Sequence, residues 1–183
     1  MYDLIHAALF VHRMMRCYNA SVYRPTAKKG CRLIGNGRME CEKKITIKTF
    51  TMDKYQQYFT ADRFAMGNGI VLEACRPGYA KASVNISPQH LNGAGVVHGG
   101  LLFTLADFCF AASVNAYGFV TLSISANISF FAKRSHGTLT AESTEIARSN
   151  KLCTCDINVY DEERVLLANF KGTAYITHET ITF

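Results

Sequence analysis

The stretch that decides the fold is Leu91-Asn92-Gly93-Ala94-Gly95-Val96-Val97-His98-Gly99-Gly100-Leu101-Leu102-Phe103-Thr104-Leu105-Ala106-Asp107. Its approach, Pro88 to Gly95, reads as a loop. From His98 the chain stays largely apolar to Tyr117, in a run of Leu, Ala and Phe that Gly118 closes. Such a run exceeds an ordinary strand, so its length predicts a long buried helix. Upstream, Tyr55, Tyr58, Phe59 and Phe64 recur at roughly helical spacing from Asp53 to Ala65, and Gly67-Asn68-Gly69 stops them. Ile70 to Cys75 and Tyr79 to Ile86 read as strands joined at the Arg76-Pro77-Gly78 turn. Downstream, Val120 to Ala132, Thr138 to Ala147, Leu152 to Tyr160 and Val165 to Thr177 read as four more strands. The expected class is α+β, an antiparallel sheet wrapped around one long central helix.

Between Lys81 and Lys133 lie fifty-one residues, and Asp107 is the only Asp, Glu, Lys or Arg among them. An ionised carboxylate beside Phe103, Phe108 and Phe110 is costly unless compensated. It is either a structural aspartate, bonded to backbone or pointing to water, or a catalytic one, because active sites tolerate such costs. The helix start favours catalysis. His98-Gly99-Gly100 sets two residues without side chains in the first turn, where amide N–H groups lack intrahelical partners and the helix dipole favours an oxyanion. Close packing alone is the competing reason for these glycines. Gly100 and Asp107 are seven residues apart, on one face but about 10.5 Å apart along the axis. One chain therefore cannot bring both to one reaction, and an intersubunit site is expected.

The 183 residues suffice for one ordinary domain, and 49% apolar with 19% charged composition excludes disordered and coiled-coil classes. The net charge of +6 belongs wholly to residues 1–51, which hold ten basic and three acidic residues. It is therefore no sign of nucleic-acid binding by the rest. That segment is a misplaced start with the natural one at Met52, an organelle-targeting segment, or a docking helix. Leu4 to Val11 is its apolar patch, Arg13, Arg16 and Arg24 weakly suggest a transit peptide, and Ala27 to Met39 shows no clear period. The domain proper is set at 52–183. Seven scattered cysteines argue against a disulfide framework and for the cytoplasm. Cys153 and Cys155 share a strand face and read as packing. No membrane span is expected, and His90 with His98 lacks a third metal ligand at suitable spacing, so no metal is expected either.

The quoted stretch resembles the signature of the hotdog-fold acyl-CoA thioesterases of the PaaI-like (phenylacetic acid degradation) family. Asn92, His98, Gly99 and Asp107 match its motif in identity and spacing, and the resemblance covers about Met52 to His178. It implies thioester hydrolysis without a cofactor, with Asp107 as general base or nucleophile and the Gly99 amide polarising the carbonyl. Asn92 and His98 would orient the loop, the carbonyl or the water, and Ser123 would assist the water. Gly100 would help bind substrate, and Lys133, Arg134, Arg148 and Lys151 would contact the CoA phosphates, though such charges at strand ends are also ordinary solvated edges. The resemblance further implies a homodimer or a dimer-of-dimers tetramer. Phe108 stands where relatives often have Thr and is expected to narrow the acyl pocket, and residues 1–51 have no counterpart. The alternatives are a hotdog dehydratase acting on acyl carrier protein and a non-catalytic acyl-CoA-binding module.

Overall fold

Strand β7, Leu152–Tyr160, alternates strictly between buried and more exposed positions, as a sheet with one face on a core requires. It lies near the middle of the larger sheet. The computed structural model describes residues 32–34, 38–40 and 52–182. The chain divides into two units, 1–48 and 49–183. In the first, β1 (Arg32–Ile34) and β2 (Arg38–Glu40) form an antiparallel pair with Leu33 opposite Met39. Three-residue strands are too short to carry a legible period, which is why Ala27 to Met39 shows none. The apolar patch at Leu4 to Val11 and the arginines at 13, 16 and 24 lie outside the described residues.

The second unit runs α1 (Met52–Phe59), α2 (Arg63–Gly67), β3 (Val71–Arg76), β4 (Tyr79–Asn85), a 3-10 turn (Pro88–His90), α3 (Gly99–Asn115), β5 (Phe119–Phe130), β6 (Thr138–Arg148), β7 and β8 (Leu166–Thr180). The strands form one sheet in the order β3-β4-β6-β7-β8-β5. Every neighbouring pair is antiparallel. The expected helix Asp53 to Ala65 is two helices. The chain breaks at Thr60 to Asp62 because the Asp62 carboxylate turns back to accept the Phe64 and Ala65 N–H groups and starts α2 afresh. Other expected boundaries move by one to three residues.

α3 is apolar on nearly all sides, and eleven of its residues are buried against the concave face of the sheet. Contact is close where β8 offers no side chain: a Cβ on Gly172 would sit 2.8 Å from Phe110 and Phe170 ring carbons. Cys109, Cys153 and Cys155 are free thiols inside this core, and Cys75 is buried with them. Tyr55 and Phe59 of α1 join it, Tyr55 donating its hydroxyl to the Ala116 carbonyl at 3.2 Å. The sheet leaves one stripe of α3 uncovered: Gly100, Phe103, Thr104, Asp107 and Ala111, at helical spacing along a single face. Beside it β5 is a sheet edge bonded only to β8, and Leu122, Ile124 and Phe130 on it are exposed. Among the described residues no helix is long and apolar enough to cross a membrane.

Candidate active site

Asp107 stands half-buried in the middle of α3, at the mouth of a cleft of about 420 Å³. Tyr58, Phe59, Phe110 and Val114 give this cleft apolar walls, and Asp62 and Ser123 reach it too. Burial pushes the Asp107 carboxyl above the ordinary Asp value of 3.8, and the negative charge of Asp62 adds to the rise. Asp107 and Ser123, which the resemblance assigns to one site, line the same cleft. The structure also brings to it Tyr58, Phe59 and Asp62 from α1 and the α1–α2 break, which the sequence reading missed. Their only signal was the Asp62-x-x-Ala65 cap, hidden when one continuous helix was expected. Phe108 does not line the cleft. It is 3% exposed and reaches the cleft only through Phe59, on which it packs edge to face with centroids 5.8 Å apart.

The helix start lies on a second cleft, of about 510 Å³, lined by His90, His98, Gly100, Phe103 and Thr104 among others. His98 is the N-cap, its Nδ1 accepting the Gly100 N–H at 2.8 Å. The Gly100 amide is thereby satisfied. The Gly99 amide opens the helix and has no acceptor within it. A Cβ at Gly99 would meet Phe130 Cζ at 3.1 Å, a contact the exposed Phe130 ring relieves by a small shift. Asn92 shapes the preceding loop, its Oδ1 accepting the Ala94 and Val96 N–H groups at 2.9 and 3.3 Å. Of the three tasks open to Asn92, holding the loop is the one its bonds perform.

The four basic residues are not one cluster. The Arg134 guanidinium pairs with the buried Asp161 carboxylate, and its carbonyl accepts the Val97 N–H at 2.7 Å, so it ties the β5–β6 connection to the approach of α3. Lys133 beside it is exposed. Arg148 lies at the far end of the eleven-residue β6, about 33 Å away along the strand, where its guanidinium stacks 3.6 Å above the Tyr117 ring. Lys151 follows in the turn to β7 and is exposed. Within one chain the two pairs cannot hold the same phosphates. Cys153 and Cys155 are fully buried with sulfurs 3.9 Å apart, in agreement with a packing role. Among the described residues no group of three His, Cys, Asp or Glu is placed to hold a metal.

An antiparallel sheet around one apolar helix, with a carboxylate and a glycine pair on its uncovered stripe, is the hotdog arrangement of the thioesterases. Residues 94–168 match the profile of the thioesterase superfamily. A protein of Archaeoglobus fulgidus is 37% identical over 105 residues, covering 57% of this chain and 68% of its own length. The acyl-coenzyme A thioesterase PaaI of Escherichia coli is 30% identical over 122 residues, 66% of this chain and 87% of that one. The structure of the PaaI protein from the Escherichia coli phenylacetic acid degradation operon matches with a TM-score of 0.64 at 26% identity, covering 72% of this chain and 100% of that one. The chain belongs to the thioesterase superfamily, within it to the PaaI-like branch, and is a thioester hydrolase.

Proposed function

We propose that the protein hydrolyses acyl-CoA thioesters, with Asp107 as the general base. The observation that carries this is the place of Asp107: the one charged side chain in fifty-one residues lines a largely apolar cleft that Ser123 also lines, and burial raises its carboxyl above the ordinary value. A water held by Asp107 and Ser123 attacks the thioester carbonyl carbon and gives its proton to Asp107. The oxygen gains negative charge against the Gly99 N–H. Collapse of the intermediate breaks the C–S bond, and the departing thiolate takes the proton from Asp107. The apolar walls of the Asp107 cleft suit an acyl group. Lys133, exposed near the start of α3, would meet the CoA phosphates.

The site needs two chains. Asp107 lines the first cleft and the helix start the second, with Gly100 and Asp107 on the uncovered stripe of α3. A second copy laid antiparallel on that stripe, with its β5 beside this one, brings the carboxylate of each chain to the helix start of the other. A registered row of exposed apolar residues, Leu122, Tyr175 and Leu152, crosses β5, β8 and β7 on the face away from α3 and suits the pairing of two such dimers. Three buried free thiols, Cys109, Cys153 and Cys155, fit a reducing cytoplasm. Thiol release from a panel of acyl-CoAs tests the reading. Asp107→Asn should lower turnover by about 10²–10⁴-fold while acyl-CoA binding and circular dichroism stay as in the wild type. Turnover near wild type in that variant refutes the assignment.

A further inference from the structure

His90 is 5% exposed, and its ring lines the cleft at the start of α3 together with His98 and Gly100. The Ser87 N–H donates to His90 Nδ1 at 3.1 Å. The Ser87 hydroxyl lies 3.2 Å from the same nitrogen, and with Nδ1 accepting the Ser87 N–H the proton of a neutral ring sits on Nε2. That Nε2 is buried and has no hydrogen-bond partner among the described residues. A buried donor without an acceptor is costly and rare, and persists where a ligand completes it. The ring is also fixed relative to the helix start, because the His90 carbonyl accepts the His98 N–H at 2.8 Å. His98 immediately precedes Gly99.

Three further observations say what the missing acceptor is. The Gly100 amide is occupied by His98 Nδ1, so the helix start offers an oxyanion only the Gly99 amide. The cleft has no Lys, Arg, Asp or Glu in its lining, so it has nothing to hold a phosphate or a carboxylate. Such a lining suits an uncharged carbonyl on which charge develops only during reaction.

We propose that His90 is a second donor to the carbonyl oxygen of the bound thioester, its Nε2–H acting beside the Gly99 amide. This rests on the thioesterase reading above. The ring gives up no proton. Its N–H donates a hydrogen bond that strengthens as the oxygen becomes an oxyanion. His90 is thereby a catalytic residue in the strict sense that it touches a reacting atom.

The test uses two CoA analogues that cannot be hydrolysed: a ketone, in which methylene replaces the thioester sulfur, and a thioether that lacks the carbonyl. The wild type should bind the ketone about tenfold more tightly than the thioether, and His90→Leu should abolish that preference. In turnover, His90→Leu should lower kcat about 10²-fold with KM little changed, and His90→Gln, which keeps a donor, should recover part of the loss. In ¹⁵N-histidine spectra of the unmutated protein, one buried Nε2–H signal should move with the ketone and not with the thioether. That measurement needs no variant to fold. An unchanged kcat in His90→Leu, a loss confined to KM, a preference for the ketone that survives His90→Leu, or an unmoved histidine signal each overturns the proposal. Failure of the wild type to release thiol from any acyl-CoA overturns the thioesterase reading instead, and the analogue preference still decides the role of His90.

Discussion

Two inactive variants should restore one another when mixed. Asp107→Asn removes the carboxylate, and Gly99→Pro removes the amide N–H eight residues, or about 12 Å, away along α3. The proline is tolerated for reasons the structure supplies. Gly99 is the first helical residue, the position where proline is favoured because the amide has no helical partner. His98 before it already has φ −66° and ψ 134°, the extended conformation a following proline demands. The new ring meets the end of the Phe130 side chain, which is exposed and free to give way. In a mixed dimer with two-fold symmetry, one site loses both groups and the other keeps both. With equal amounts and free exchange half the dimers are mixed, so about one quarter of wild-type thiol release should return per mole of chain. Gly99→Ala, which adds a Cβ but keeps the amide, serves as the steric control and should stay active when Phe130 yields. If both inactive variants fold and exchange subunits yet no activity returns, the shared site is refuted.

Asp62→Asn keeps a good N-cap for α2 but removes the negative charge beside Asp107. The Asp107 carboxyl should then ionise more readily, and the acid limb of the pH–kcat profile should move to lower pH; an unmoved limb means that burial alone sets the Asp107 value. A chain beginning at Met52 retains α1, with Tyr55 and Phe59 in the core, and should stay folded, oligomeric and active, whereas one beginning at Asp62 should lose thermal stability. If the Met52 chain aggregates or loses activity, residues 1–51 are part of the working fold. Phe103 lies midway between Gly99 and Asp107, so a two-fold axis that exchanges those partners passes beside it. Phe103→Cys should therefore cross-link to its own copy under mild oxidation, read as a covalent dimer on a non-reducing gel, and a wholly monomeric product contradicts the antiparallel helix pair.

Much of this was legible in the chain because the signals were of the kind that local physics enforces. α3 announced itself by length and by apolarity on every side, and β7 by an alternation that survives in the structure residue for residue. Asp107 stood out because a charge in an apolar run is expensive wherever the run ends up. The break between α1 and α2 was not legible, since Tyr55, Tyr58, Phe59 and Phe64 keep an acceptable helical spacing across it. Only the three-dimensional fact that Asp62 caps a new helix separates them. For the same reason the wall those helices lend to the Asp107 cleft went unread. Lys133, Arg134, Arg148 and Lys151 were grouped by charge and by proximity to turns, but β6 sets the two pairs at opposite ends of one strand, a separation no local pattern encodes.

His90 shows the deeper limit. In the sequence it is one of two histidines flanking a loop, and its neighbours offer no ligand spacing for a metal. What marks it in the fold is a bond it makes and a bond it lacks: Nδ1 is bound to Ser87 and Nε2 is buried alone. Neither is visible before the Pro88–His90 turn brings the ring back toward the start of α3. The uncovered stripe of α3 has the same character. Its residues are small, aromatic or acidic without a shared type, and they become one surface only once the sheet has covered the rest of the helix. A helix apolar on all sides must be wrapped, one sheet wraps it incompletely, and Asp107 stands on the strip left over, about 12 Å along the helix from Gly99, a spacing that in the proposed mechanism a second chain closes.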